Sequence, residues 1–107
     1  MVVVPDPLFN TYVGRIGELS IKHRLPSIAG QSGFASAGGL IAYGPSITDN
    51  WRRSATYVDR ILKGTKPGDL PVERPTRFEL IVNKKTARAI GLSLPASILA
   101  RADEVIE

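Results

Sequence analysis

Few side chains in this sequence are suited to covalent or metal chemistry. The chain has a single histidine and no cysteine, which excludes thiol nucleophiles, disulfides and thiolate metal sites. His23 lies between Lys22 and Arg24 at the end of a predicted helix, where the helix dipole favours a cation. No serine stands in a G-x-S-x-G motif, and carboxylates without histidine or cysteine partners rarely bind transition metals. We therefore predict no enzyme, no metal site and no cofactor.

Two glycine pairs have the spacing of partial phosphate-binding loops. Gly14 with Gly17, and Gly30 with Gly33, each form G-x-x-G. Neither pair completes the G-x-G-x-x-G or Walker pattern, and the first lies inside a predicted helix. We expect these glycines to serve tight turns and close packing.

Polar side chains follow three short predicted strands, and they are the main candidates for ligand binding. The carboxyl ends of parallel strands meet at one edge of a sheet, where α/β proteins bind ligands. The candidate residues are Asp6, Pro7, Leu8, Gln31, Ser32 and Tyr43. Asp6 suits an ammonium group, Gln31 and Ser32 suit hydrogen bonds, and Tyr43 suits stacking, as for a small zwitterion or flat polar ligand. The sequence leaves open that Asp6 caps a turn and that Tyr43 fills the core.

The first part of the chain predicts an α/β fold with a parallel sheet. β-branched and apolar runs predict strands at 2–4, 27–29 and 40–43. Between them, three- and four-residue apolar spacing predicts a helix over 10–23 with Asn10 as its cap, and a helical turn over 34–37. Strand, helix, strand, short helix and strand is the order of a sheet with crossover connections.

A long amphipathic helix is predicted to begin after Ser46, Thr48 or Asp49 and to end near Lys63, with Gly64 as its stop. Its apolar stripe contains Ile47, Trp51, Ala55, Val58 and Leu62. This stripe is wide enough to require a partner surface.

The sequence after Gly64 predicts a linker, a strand and two short helices. Three prolines in residues 65–75 exclude a helix and indicate an extended linker. Alternating polarity over 78–83 predicts a half-exposed strand at a sheet edge. Asn83 is the predicted cap of a helix ending at Gly91, and Pro95 begins a last helix ending near Arg101.

The balance of charge does not favour a nucleic-acid partner. The formal net charge is +4 and the isoelectric point about 9.8. Basic residues are interspersed with acidic ones, and aromatic residues do not alternate with them as in a base-stacking surface. The sequence shows no membrane-spanning run and no signal peptide at its start.

Several strings resemble ABC-transporter substrate-binding proteins with the type I periplasmic-binding fold. They are GGLIAYGP at 38–45, YVDRILKGTKPGDLPVE at 57–73, FELIVNKKTA at 78–87 and RADEVI at 101–106. The resemblance covers nearly the whole chain. The branch of the family that it resembles includes transporters whose substrates are aromatic amino acids. It implies an incomplete Rossmann-like sheet of the C-terminal lobe with a crossover helix.

The resemblance also implies a division of the chain. Residues 1–45 are expected to form the βαβ part of the C-terminal lobe, and 46–64 a helix that packs on an absent N-terminal lobe. Residues 65–75 are the expected hinge, and 76–107 a returning strand with C-terminal helices. In related proteins an aspartate of a Pro-Thr-Asp-Asn-like turn faces the ligand, and Asp6 holds that place although the residue after it differs.

The predicted function is therefore the solute-binding component of an ABC import system, or a fragment of one. It implies an amino acid or similar ligand in a cleft between lobes, a membrane permease partner and an extracytoplasmic location. The exposed stripe around Trp51 predicts a homodimer of this chain, with a domain swap through the 65–75 linker as its route. The alternative is an independent α/β interaction or regulatory module.

Overall fold

The chain contains five strands and six α-helices, and the computed structural model describes all of residues 1–107. The strands are β1 (Val2–Val3), β2 (Ile28–Ala29), β3 (Ile41–Pro45), β4 (Phe78–Asn83) and β5 (Glu104–Ile106). The helices are α1 (Pro7–Thr11), α2 (Val13–Lys22), α3 (Gly33–Ser36), α4 (Ile47–Leu62), α5 (Lys84–Ala89) and α6 (Ala96–Leu99), with a 3₁₀ turn at Pro67–Asp69. The chain forms two units, which we call the sheet unit (1–44 and 79–107) and the helix unit (45–78).

The strands form one sheet in the order β1-β2-β3-β4-β5. β1, β2 and β3 are parallel, with Val3 beside Ala29 and Ala29 beside Ala42, and β5 is parallel to β4. The Asn83 amide donates to the Leu40 carbonyl, and the Ser46 amide donates to the Arg77 carbonyl. The start of β3 therefore meets the end of β4 and the end of β3 meets the start of β4, so this pair is antiparallel. The predicted α/β class with a mainly parallel sheet is confirmed.

The core of the sheet unit is centred on Phe34, whose side chain in α3 has no exposed surface. It belongs to one buried cluster with the inward residues of the parallel strands, Val3, Ala29 and Ala42. Gly39 leaves room for the ring, because a Cβ there would lie 2.2 Å from it. This packing holds α3 against the strands whose ends form the candidate site.

The helix predicted over 10–23 is divided in the structure, so its predicted start at Asn10 is wrong. α1 begins earlier, because the Asp6 carboxylate accepts a hydrogen bond from the Leu8 amide at 2.8 Å and Pro7 suits the first helical position. The chain leaves helical geometry at Tyr12 (φ −104°, ψ 18°) before α2 begins.

The boundaries of α4 and α5 follow local capping chemistry, as predicted, whereas α6 ends at Leu99 rather than near Arg101. The Ser46 hydroxyl accepts from the Asp49 amide at the start of α4, and Asn83 accepts from Thr86 at the start of α5. Gly64 (φ +103°) and Gly91 (φ +76°) follow these helices in the left-handed conformation.

The prediction that 78–83 forms an edge strand is wrong. β5, a strand that the sequence analysis did not predict, pairs with β4 on its outer side. Asp103 secures this pairing, since its amide donates to the Leu80 carbonyl and its carboxylate accepts from the Leu80 amide, both at 2.8 Å. At the end of β4 three successive residues, Ile81, Val82 and Asn83, are consequently all buried. In a half-exposed strand every second residue would instead be exposed.

Candidate functional site

The three parallel strands end side by side, and the segments after them lie in close contact. A Cβ on Gly30 would lie 3.1 Å from Cγ of Pro5, so the segments after β1 and β2 touch. A Cβ on Gly44 would lie 1.9 Å from the Gly30 carbonyl oxygen, so only glycine fits there. We call this surface the carboxyl edge; it consists of residues 4–8, 30–32 and 43–44. The structure thus brings the three predicted segments to one side of the sheet.

The segment after β1 places Asp6, Pro7 and Leu8 on the exposed rim of the carboxyl edge. The Asp6 carboxylate caps α1 through its Oδ1 atom. A carboxylate has further lone pairs, so this cap leaves Asp6 able to accept from a ligand. Leu8 is 60% exposed and adds an apolar surface beside the carboxylate.

The segment after β2 places Gln31 and Ser32 half-buried in front of α3. The Gln31 carbonyl accepts from the Phe34 amide at 3.1 Å, which holds its backbone in a helical turn. Its side-chain nitrogen and oxygen are both buried and have no hydrogen-bond partner. Ser32 occupies the cap position of α3, and its hydroxyl makes no capping bond.

Tyr43 lies in β3 beside Ala42, and the two residues face opposite sides of the strand. Ala42 is buried, whereas Tyr43 is 53% exposed, so the alternative that Tyr43 fills the core is wrong. Gly30 and Tyr43 directly follow the paired residues Ala29 and Ala42.

The helix unit contains a polar network that the sequence analysis did not find. Arg53 of α4 pairs with Glu73 and donates to the Thr76 hydroxyl at 2.8 Å. The Tyr57 hydroxyl donates to the Pro71 carbonyl at 2.6 Å. The predicted linker therefore lies against α4, and its expected extended form is interrupted by the 3₁₀ turn. In the sequence this network is visible only as two oppositely charged residues, Arg53 and Glu73, twenty positions apart. Such a separation is not typical of any structural motif.

This network shifts the pKa values of its members. The hydrogen bond from Arg53 lowers the pKa of Glu73, and the same pairing raises the pKa of Arg53. Partial burial raises the pKa of Tyr57. Both charged partners stay ionised over a wide range of pH, which keeps the segment on the helix.

A groove of about 650 Å³ runs between α4 and the segment that follows it. Its lining is mainly apolar and includes Tyr57, Ile61, Leu70, Pro71 and Val72. The predicted stripe is exposed, with Trp51 at 74% and Leu62 at 81%. Val58 of the stripe also lines the groove, so the two surfaces adjoin on α4.

The structure contains no group of three or more histidine, aspartate or glutamate side chains placed to hold a metal ion. None of its helices combines the length and the apolar character needed to cross a membrane.

The sequence matches the family described as ABC transporter substrate binding protein over residues 3–106. The chain belongs to this family. The resemblance drawn from the sequence strings is thereby confirmed. The family consists of substrate-binding proteins rather than enzymes.

A tyrosine-binding protein of Clostridioides difficile is 24% identical to this chain over 92 residues, which cover 86% of this chain and 27% of that protein. The fold is similar to that of a conserved domain protein from Vibrio cholerae, with a TM-score of 0.91 and 23% identity over 97% of this chain and 35% of that one. It is also similar to the ABC domain in complex with L-Trp from Streptococcus pneumoniae, with a TM-score of 0.84 and 25% identity over 94% of this chain and 35% of that one. The chain thus spans about a third or less of the length of these relatives.

Proposed function

We propose that this chain carries one side of the ligand-binding cleft of an ABC import system, and that the cleft binds an amino acid. The observation that supports it most directly is the convergence of three segments at the carboxyl edge in a chain of a substrate-binding family. Open α/β sheets bind ligands at this edge. The proposed ligand contacts are Asp6, Pro7, Leu8, Gln31, Ser32 and Tyr43.

The proposed ligand is an aromatic amino acid. Two relatives support this class, since one is named for tyrosine and the other is in complex with L-Trp. Asp6 offers a carboxylate to the ligand ammonium group, and Tyr43 offers an exposed ring to an aromatic side chain. The apolar surface of Leu8 lies on the same rim.

The proposed mechanism is binding and enclosure between two lobes, without covalent chemistry. In this proposal residues 1–45 and 76–107 belong to one lobe, 65–75 is the hinge, and 46–64 packs on the other lobe. Because the chain spans 27% and 35% of its relatives, the second wall of the cleft belongs to the rest of a family-length protein. Enclosure supplies much of a ligand's affinity, so this chain alone binds weakly.

Delivery to a membrane permease and an extracytoplasmic location complete the proposed transport role. The support for both is membership of the ABC transporter substrate-binding family. The chain is a binding component in this role, and transport itself requires the permease.

For the isolated chain we propose a homodimer through the exposed stripe of α4. An antiparallel arrangement about a two-fold axis near Ala55 sets Trp51 opposite Val58 of the second copy. Arg52 and Asp59 flank the same side of the stripe two helical turns apart, so the same arrangement sets each Arg52 opposite the Asp59 of the other copy. A domain swap through the 65–75 linker is the proposed route to this dimer.

The test is a titration of the ¹⁵N-labelled chain with L-tryptophan and L-tyrosine, followed by NMR, with L-lysine as the comparison ligand. We expect saturable shifts confined to residues 4–8, 30–32 and 43–44 for the aromatic amino acids, and weaker ones for L-lysine. Tyr43→Ala removes the proposed stacking surface, whereas Tyr12→Ala removes a similarly exposed tyrosine outside the carboxyl edge. Shifts that stay the same in Tyr43→Ala, or that centre on α4, would contradict the proposed site and favour an independent interaction module.

A further inference from the structure

Glu79 is a half-buried carboxylate next to the carboxyl edge, and it is not among the proposed ligand contacts. The two hydrogen bonds that pair β3 with β4 fix its position, because their register sets Glu79 opposite Gly44. Both residues lie inside the paired strands, between those two bonds. Since Gly44 belongs to the carboxyl edge, a ligand bound there has a partly accessible carboxylate beside it.

The side chain of Glu79 faces the covered side of the sheet. The same register sets Ile81 opposite Ala42, and both residues belong to the buried cluster that contains Phe34 of α3. Side chains alternate along a strand, so Glu79, two residues before Ile81, faces the same side. A strand covered by a helix normally places apolar residues on that side, because a charge there is costly to remove from water.

The other polar residue on this face of β4 has a structural role. The side-chain nitrogen of Asn83 donates to the Ala35 carbonyl at 2.8 Å, and its oxygen accepts from the Thr86 amide at 2.9 Å. Asn83 thus caps α5 and joins it to α3. Glu79 lies at the opposite end of the strand, at the edge where α/β sheets bind ligands. Departures from the local pattern of a fold are expected at functional sites, so the placement of Glu79 points to a ligand.

Glu79 and Asp6 are too far apart to bind the same group of a small ligand. Asp6 follows β1, whereas Glu79 lies near the start of β4. The sheet order separates these two strands by three strand spacings, or about 14 Å. If Asp6 accepts from the ligand ammonium group, as proposed, Glu79 therefore meets the other end of the ligand.

We infer that Glu79 accepts a hydrogen bond from the donor at the tip of an aromatic side chain, either a phenol hydroxyl or an indole N–H. An ionised carboxylate carries only acceptors, and both of these groups supply a donor, whereas the phenyl ring of phenylalanine supplies none. Hydrogen bonds to an ionised group are about twice as strong as neutral ones. This inference rests on the proposed function and adds that the site selects tyrosine and tryptophan over phenylalanine.

The experiment titrates the ¹⁵N-labelled chain with L-tyrosine, L-tryptophan and L-phenylalanine, followed by NMR. Glu79→Met removes the carboxylate and keeps the length of the side chain. Glu79→Gln keeps the shape and one acceptor oxygen but removes the charge. Glu18→Met is the control, because it removes a carboxylate that is 71% exposed on α2, away from the carboxyl edge.

We expect Glu79→Met to lower the affinity for L-tyrosine and L-tryptophan by roughly 10- to 100-fold, the range for hydrogen bonds to charged groups. Its affinity for L-phenylalanine should stay equal or rise, so the preference of the wild type is lost. Glu79→Gln should lose part of this preference, because a neutral oxygen accepts more weakly. If Glu79→Met does not fold, the preference measured in Glu79→Gln decides the matter. Glu18→Met should bind as the wild type does.

The possible failures can be told apart. If the wild type binds all three amino acids with equal affinity, the inference is wrong while the proposed function stands. A Glu79 variant that weakens the binding of all three by the same factor would mark Glu79 as a residue that shapes the edge without reading the ring tip. If the wild type binds none of them, the proposed function fails and the inference fails with it.

Discussion

The exposed stripe of α4 allows a quantitative prediction about the isolated chain. Trp51 is 74% exposed, which is about 180 Å² for a large aromatic side chain. Burial of half this surface in each of two copies contributes about 5 kcal/mol per dimer, at ~25 cal/mol per Å². Trp51→Glu removes this contribution, so we expect the dimer to weaken by about 10³-fold. The control is Val2→Glu, which places the same charge at a 75% exposed apolar residue of the sheet unit.

The assay is the solution mass by light scattering after gel filtration, over a range of protein concentration. A charge exchange then tests the antiparallel arrangement. Arg52→Asp and Asp59→Arg should each weaken the dimer by setting like charges opposite each other, and the double variant should restore it. A monomeric wild type, or a dimer that Trp51→Glu leaves unchanged, would refute the reasoning. Single and double charge variants that weaken the dimer equally would refute the arrangement alone.

Two predictions concern stability. Phe34→Ala should lower the free energy of unfolding by about 3–5 kcal/mol in urea titrations, because the ring is fully buried. Phe9→Ala, at a 37% exposed position, should lower it far less. Similar losses in the two variants would contradict the central role of Phe34. The pKa of Glu73 is lowered by Arg53, so the stability from this pair is present above the ordinary pKa of 4.5 and is lost as the pH falls through the lowered value. Backbone NMR shifts over 72–76 should therefore change in acid for the wild type but stay near their acid values at every pH for Glu73→Gln, and equal pH profiles would contradict this account.

The parts of the fold that the sequence predicts are those decided by nearby residues. Ser46 and Asn83 cap helices through atoms three residues away, and Gly64 ends α4 through its own backbone geometry. Such signals are local, so helix boundaries follow from short stretches of sequence. Asp6 shows the limit of such local signals. Its carboxylate caps a helix, whereas the sequence around it indicates only a turn.

The parts that the sequence does not predict depend on distant residues. β5 has three residues, too few for a periodic pattern, and it is secured through the contact of Asp103 with Leu80. The pairing of Arg53 with Glu73 joins residues that have no characteristic spacing. The burial of the Gln31 amide is likewise not specified by composition or periodicity.

The exposure of the candidate contacts limits the affinity that the carboxyl edge alone supplies. Leu8 and Tyr43 are each more than half exposed, so a ligand held by them alone keeps its other side in water and gains little from apolar burial. The strength of binding in this proposal therefore depends on the enclosing second wall. It follows that completing the cleft should raise the affinity for the ligand well above that of this chain alone.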